Sequence, residues 1–288
     1  MDGFLIINKD KGITSFGVCN KLKHLTNTKH VGHTGTLDPN TTGVLVVTLG
    51  QACKTLPLLI EHTKEYKTTI LFGKRTDTLD ICGKVIVDSN KEISNEDIFK
   101  AIDDVSKYKK QVPPMFSAIK KDGVKMYDLA RKGEEIALEA RNVTVNSYKI
   151  LSDVYEIEGY KAIDVYLNTS KGYYVRSFAR DLGDLLGVPS LMYSLERLSS
   201  GQFRIENSVK LDNPDILNHL ISIEDVFKDL PRLSVDDYTA HLAENGVVLD
   251  ERQIKTEEAF LIYNKNKLIA IYKPVDKYKY KPVIILRG

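Results

Sequence analysis

Residues 29–43 read KHVGHTGTLDPNTTG, a stretch holding a single carboxylate, Asp38, among glycines, threonines and a proline, with His30 and His33 just ahead of it. Two histidines three residues apart are a beginning of a metal site, but a zinc centre needs at least three protein ligands. No third ligand follows at a matching spacing. Glycoside hydrolysis needs two cooperating carboxylates. Asp77 and Asp80 in RTDTLD are available, yet the sequence does not place them opposite Asp38. A lone aspartate has another use, as a covalent nucleophile. It must then stay ionised in a pocket that excludes water, which calls for a paired cation, arginine by preference, and an aromatic wall. Arg176 in SKGYYVRSFARDLG and Tyr66 in KEYKTTILFG are the candidates. Asp-Pro in a glycine-rich segment is ordinarily just a turn. The setting argues for more: Gly32, Gly35 and Gly43 let backbone approach a ligand closely, and a dense apolar strand begins directly afterwards.

The elements that position these groups follow from periodicity. GFLIINKDKGITS reads as a strand running into a turn, and Thr14 or Ser15 then caps a helix whose stripe is Phe16, Val18, Cys19, Leu22 and Leu25. Three glycines and Asp-Pro predict an irregular loop over the chemistry-bearing stretch. GVLVVTLG and KEYKTTILFG are strands, and Ser94 or Asn95 caps a helix through SNEDIFKAIDDVSKY. RSFARDLGDLLG is helical, with Phe178, Leu182, Leu185 and Leu186 on one side. QVPPMFSAIKKDGVKMYDLARKGEEI, with its double proline and Lys-Asp-Gly turn, reads as an insertion projecting from the core at about 107–140. Beyond Leu230-Pro231 come one short helix and several short strands. The division expected is therefore a large domain, 1–229, and a small β-rich module, 230–288, near the lower size limit for independent folding.

The 288 residues are 42% hydrophobic and 28% charged, a soluble globular composition. No apolar run approaches the roughly 18 residues that span a bilayer. The start MDGFLIINKDKG has no basic leader before an apolar core, so no secretory signal is expected. Cys19, Cys53 and Cys82 fit neither a disulfide framework nor a zinc knuckle, and a cytoplasmic location is expected. The net charge of +2 is uninformative, but its distribution is not. Between Lys107 and Lys132 eight basic residues face two acids, and the C-terminal KYKYK alternates cations with aromatics, as a phosphate-binding surface requires.

HVGHTGTLDPNTTGVL resembles the signature of the TruB family of tRNA pseudouridine synthases, which isomerise uridine-55 in the T loop. NKDKGITS resembles that family's amino-terminal K-P-x-G-x-T-S motif, except that Asp10 stands where the family usually has proline. EYKTTILFGKRTDTLDICG resembles its tyrosine motif and the TDT-x-D-x-x-G that follows. QVPPMFSAIKKDGVKMYDLARKG resembles the insertion called the thumb, SKGYYVRSFARDLG the arginine motif, and LERLSSGQF the closing motif. The resemblance covers residues 3 to 205, and the tail resembles, more weakly, a reduced PUA module.

The resemblance implies an α+β pseudouridine synthase fold with a mixed, largely antiparallel central sheet and a small C-terminal β-rich PUA-like module. It implies Asp38 as nucleophile, Arg176 as its paired cation, and Tyr66 as the ring that packs on the target base and takes the C5 proton. It implies His33, Tyr174 and Leu195 as further substrate contacts, with Lys9 in a supporting role. It implies no cofactor and no metal, tRNA bound through its T arm as partner, no membrane, no required protein partner, and a monomer. The target uridine lies in a stacked loop and must be extruded, which costs a few kcal/mol. Two other readings share the scaffold: a non-catalytic RNA-binding or RNA-folding protein, and a guide-RNA-dependent synthase. A metal-dependent hydrolase is more distant.

Overall fold

The computed structural model describes residues 1–59, 63–89, 91–117, 120–121, 124–125 and 138–286. The chain is α+β, and ten of its described strands form one mixed, largely antiparallel sheet. Its principal strands are β1 (Gly3–Lys9), β2 (Val31–His33), β3 (Thr42–Leu49), β4 (Lys64–Phe72), β5 (Val145–Ile150), β6 (Tyr160–Thr169), β7 (Ser190–Ser200) and β8 (Val209–Lys210), in the order β5-β6-β4-β7-β3-β1-β8. The β7–β3 and β1–β8 pairs are parallel and the remaining pairs along that path antiparallel, while β2 pairs antiparallel with β3.

Burial on both faces explains the nearly continuous apolar strands. Successive side chains of a strand point to opposite faces. In β1, Phe4 and Ile6 enter one hydrophobic cluster and Leu5 and Ile7 the opposite one; in β3, Val44 and Val46 are parted from Leu45, Val47 and Leu49 in the same way. Helix α1 (Ser15–Thr26) covers one of these faces through Val18, Cys19 and Leu22. Thr14 caps it, its hydroxyl accepting from Gly17 N at 2.9 Å. Helices α2 (Asn95–Ser106) and α3 (Val175–Leu186) cover the β4–β6 region through Ile98, Ile102, Phe178 and Leu182.

The C-terminal strands form a separate five-stranded sheet: β9 (Arg232–Ser234), β10 (Leu249–Asp250), β11 (Phe260–Asn264), β12 (Lys267–Asp276) and β13 (Lys279–Ile285), in the order β9-β11-β12-β13-β10. Helix α4 (Asp237–Glu244) lies against one face of it. The other face, through Leu261, Leu268 and Ile271, shares a cluster with Phe4 and Val46 of the large sheet. That shared core supplies apolar burial that so small a sheet cannot supply for itself.

Three expectations need correction. Residues 31–33 are not irregular: they form β2, because Val31 and His33 pair with Leu49 and Val47 before the glycines intervene. Phe16 (70% exposed) and Leu25 (55%) are not part of α1's buried stripe, since only Val18, Cys19 and Leu22 turn onto the sheet. Leu185 of α3 is likewise exposed. Most of the insertion expected at 107–140 lies outside the described residues, but Lys110–Gln111 and Arg141–Asn142, near its two ends, pair antiparallel. Among the described residues no helix is long and apolar enough to cross a membrane.

Candidate active site

Asp38 sits on a loop pinned from several sides. Upstream, Thr34 N donates to Val46 O at 3.1 Å, and Leu37 is buried beneath α1. The Ser15 hydroxyl clamps the Leu37 backbone, accepting from its N at 2.8 Å and donating to its O at 3.0 Å. Downstream, Thr41 N donates to Asp38 O at 3.0 Å, closing a turn, and Pro39 O accepts from Gly12 N at 2.8 Å. Lys9, fully buried at the end of β1, donates its ammonium to Asp10 O, Ile13 O and Pro39 O at 2.9, 2.8 and 3.2 Å. Gly43 at the end of the loop has φ +98°, and a Cβ there would meet the Arg197 carbonyl oxygen at 2.2 Å. Only glycine fits this close approach of β3 to β7. Asp10, where the resembled motif has proline, is ion-paired with Lys210.

The cation expected for Asp38 is present. Arg176 Nη2 lies 2.9 Å from Asp38 Oδ2; the arginine side chain is 7% exposed and the aspartate 36%. The carboxylate is thus held on its inner side and open at the mouth. Arg176 leaves the first turn of α3, where Tyr174 N donates to Gln111 Oε1 at 2.9 Å. Its guanidinium also donates to Thr78 O (Nη1, 3.1 Å) and Phe116 O (Nη2, 2.9 Å). Thr78 belongs to a loop organised by Asp80, whose carboxylate accepts from Thr78 Oγ1 at 2.7 Å and Cys82 N at 2.9 Å. Asp80 is therefore committed to its own loop, and Asp77 accepts from Lys84 N at 2.8 Å in the neighbouring hairpin. Burial pushes the Asp38 carboxyl above the usual carboxylate value, opposed by the Arg176 and Lys9 charges and reinforced by Asp80. Pairing alone leads to the opposite expectation; the walls of the site remove more hydration than the guanidinium returns. Burial likewise lowers Lys9 to about 8, against the pull of Asp38 and Asp10.

Tyr66 lies in β4, buried, with its Cα paired to that of Arg197 in β7. Burial pushes its phenol up, while the Arg197 guanidinium pulls it down; the Asp38 charge acts in the same direction as burial. Leu195, two residues before Arg197 on β7, packs against the cluster that holds Tyr66. Tyr174 is half-buried; burial raises its phenol, the Arg141 and Arg176 charges oppose this, and Asp38 adds to it. His33, at the end of β2, is pushed below the usual imidazole value by burial and by Arg197. His30 is exposed, so the two histidines do not converge, and among the described residues no group of His, Cys, Asp and Glu is disposed to hold a metal. Arg176, Lys9, Tyr66 and Tyr174 thus act on one carboxylate, while His33 joins them through Arg197 and Leu195 through the cluster that holds Tyr66. Arg197 was missed by the sequence reading. Its signal was its spacing: two positions after Leu195 on a strand, it shares that residue's face.

The fold and this site together define a class. Over 99% of this chain and 84% of the other, the structure superposes on a chain of the crystal structure of a Cbf5–Nop10–Gar1 complex, with a TM-score of 0.70 and 22% identity. A second likeness, TM-score 0.66 at 20% identity over 99% of this chain and 84% of the other, is to the structure of an H/ACA RNP bound to a substrate RNA containing 2′-deoxyuridine. Both show the fold, the pseudouridine synthase fold with a C-terminal β-rich sheet. Sequence narrows the class to a family. The model described as "TruB family pseudouridylate synthase (N terminal domain)" matches residues 23–175. The tRNA pseudouridine synthase B of Clostridium tetani is 36% identical over 94% of this chain and 95% of that protein. Its namesakes in Acholeplasma laidlawii (36%; 98% of each) and Bacillus cereus (33%; 99% and 97%) are similar throughout. The chain belongs to the TruB family of pseudouridine synthases and is an isomerase of that class.

Proposed function

We propose that this protein converts uridine-55 in the T loop of tRNA to pseudouridine, with Asp38 as nucleophile, Arg176 as its partner and Tyr66 as the proton acceptor. The reaction cuts the bond from uracil N1 to the ribose, turns the base and joins C5 to the same sugar carbon. C5 loses one proton and N1 gains one, so the atoms balance without a co-reactant. The observation that carries this reading is the 2.9 Å Arg176–Asp38 pair, buried on the arginine side and open on the aspartate side. An accessible carboxylate with a fixed orientation is what attack on an extruded nucleotide needs. Extrusion costs a few kcal/mol, which contacts from Tyr66, Leu195, Tyr174 and His33 would offset. The basic residues of 107–132 clamp the T arm through its phosphates, and 230–288 serves as a PUA-like RNA-binding module; the protein acts as a cytoplasmic monomer.

The relatives named tRNA pseudouridine synthase B support tRNA as the substrate. The test incubates the protein with a bare transcribed tRNA and maps pseudouridine. Product at uridine-55 is expected with no added guide RNA or protein; product only with a guide assigns the guide-dependent reading. Asp38→Asn should abolish product while leaving tRNA affinity intact. An Asp38→Asn protein that keeps its turnover removes the nucleophile assignment.

A further inference from the structure

Arg197 is an arginine in the middle of the large sheet, 2% exposed, and among the described residues it forms no ion pair with a carboxylate. A buried cation without a counter-ion is costly unless something near it uses the charge. Its donors are committed to the framework of the site. Nε donates to Val44 O at 2.6 Å and Nη2 to Gly35 O at 3.1 Å. Both acceptors flank the Asp38 loop, one on each side. The Cα of Arg197 pairs with that of Tyr66 on β4 and with that of Gly43 on β3, so the residue lies between the Tyr66 strand and the loop that carries Asp38. Its charge acts on the Tyr66 phenol across that pairing.

We propose that Arg197 is a positioning residue for proton removal at uracil C5: it fixes the Tyr66 oxygen relative to the Asp38 loop and supplies the positive charge that the phenolate requires. This rests on the reading of Tyr66 as proton acceptor. In the step, the Tyr66 phenolate takes the C5 proton and becomes a phenol. The electron pair of the C5–H bond restores the C5–C6 double bond of the product. The phenol later returns its proton to water. The groups facing this pair are Asp38 and Arg197 about Tyr66, and Tyr66, His33 and Lys9 about Arg197. Arg197 is the cation among them that stands opposite Tyr66 on the neighbouring strand. Burial works against the phenolate and Arg197 opposes that penalty.

The experiment compares the intact protein with Arg197→Gln and Arg197→Lys in single-turnover reactions on a tRNA transcript, with hydrogen or deuterium at uridine C5. For Arg197→Gln the rate constant falls by about 10²-fold, while tRNA affinity stays within about twofold. The deuterium isotope effect rises, because C5 deprotonation becomes the slow step, and Arg197→Lys recovers part of the rate. An unchanged rate overturns the proposal. So does an unaltered isotope effect accompanied by parallel losses of rate, affinity and melting temperature, which marks Arg197 as structural only. Should Arg197→Gln fail to fold, the contact is read in the native protein: Tyr66→Phe must shift the Arg197 guanidinium nitrogen resonances, and no shift overturns the proposal. Replacing Tyr66 with 3-fluorotyrosine, a more acidic phenol, tests the underlying reading separately. If the pH dependence of the rate does not move, the reading of Tyr66 fails. If it moves while the Arg197 variants leave the rate and isotope effect unaltered, the inference about Arg197 fails alone.

Discussion

Replacing Lys9 by methionine tests whether a buried ammonium is what holds the Asp38 loop in place. Lys9 is fully buried and donates to three backbone carbonyls, one of them Pro39 O next to Asp38. Burial brings its pKa down from 10.5 to about 8. The sign of the consequence is fixed by linkage. Between pH 8 and 10.5 the unfolded chain still holds a proton that the folded protein has released, so stability rises with pH across that window. The interval is worth about 3 kcal/mol in all, of which about 2 kcal/mol accrues between pH 7 and pH 10. At pH 7, Lys9→Met removes charged hydrogen bonds worth about 1.5–3 kcal/mol each. It also relieves about 3 kcal/mol of charge burial, and Pro39 O keeps its bond from Gly12 N. The net expectation is a loss of about 2 kcal/mol at pH 7, growing to about 4 kcal/mol at pH 10. Urea unfolding of both proteins at the two pH values measures this, and every other titrating group cancels in the difference. Single-turnover rates should fall for the variant with tRNA affinity retained, because Pro39 O has lost one of its two donors. A stability difference that is the same at pH 7 and pH 10 refutes the lowered lysine, and an undiminished rate refutes the hold of Lys9 on the Asp38 loop.

Arg176→Ala removes the main attraction that opposes burial at Asp38, so the acidic limb of the rate–pH profile should move to higher pH; a limb that stays put contradicts the pairing. Activity of the native enzyme should itself decline, on acidification, at a pH above the usual carboxylate value. Gly43→Ala sets a methyl against the Arg197 carbonyl at a φ of +98°, with backbone on both sides and nothing free to yield. A loss of about 3 kcal/mol or more is expected, seen as a fall in melting temperature of roughly 10 °C. Ser15→Ala leaves the Leu37 N–H and carbonyl without their buried partner, a loss of about 2 kcal/mol by urea unfolding.

What was legible in the sequence was chemistry carried by residue type and packing carried by period. A single carboxylate in a glycine-rich loop implied a cation, and Arg176 is that cation. Apolar runs such as GVLVVTLG marked strands, and the structure buries that one, β3, on both faces. The errors came where a local rule met a tertiary partner. Glycines predicted an irregular 31–33, but the free edge of β3 offered hydrogen bonds that outweigh loop propensity. Phe16 and Leu25 satisfy helical spacing, yet the width of the sheet, which no helix sequence encodes, leaves them uncovered. Asp80 offered itself as a second catalytic acid by type alone, and its hydroxyl and amide donors lie two residues to either side. Arg197 was passed over because nothing within LERLSSGQF marks its arginine as buried. Only the neighbouring strands show that it is enclosed.

The three cations of the site share a property that explains why so many buried charges are tolerated. Lys9, Arg176 and Arg197 each spend their donors on backbone carbonyls from separate segments: Lys9 on residues 10, 13 and 39, Arg176 on 78 and 116, and Arg197 on 35 and 44. Most of these carbonyls belong to loops, where backbone acceptors lack a regular partner; Pro39 O also accepts from Gly12 N, and Val44 lies in β3. Each cation also fixes a loop to a strand or helix end, so the same side chain supplies charge and geometry. Asp38 is the carboxylate held by Arg176, with Asp80 acting on it and Asp10 on Lys9. Substituting any one of the three should therefore disturb orientation and electrostatics together. Charge-conserving variants such as Arg197→Lys separate the two effects, because they retain the field while releasing part of the carbonyl network.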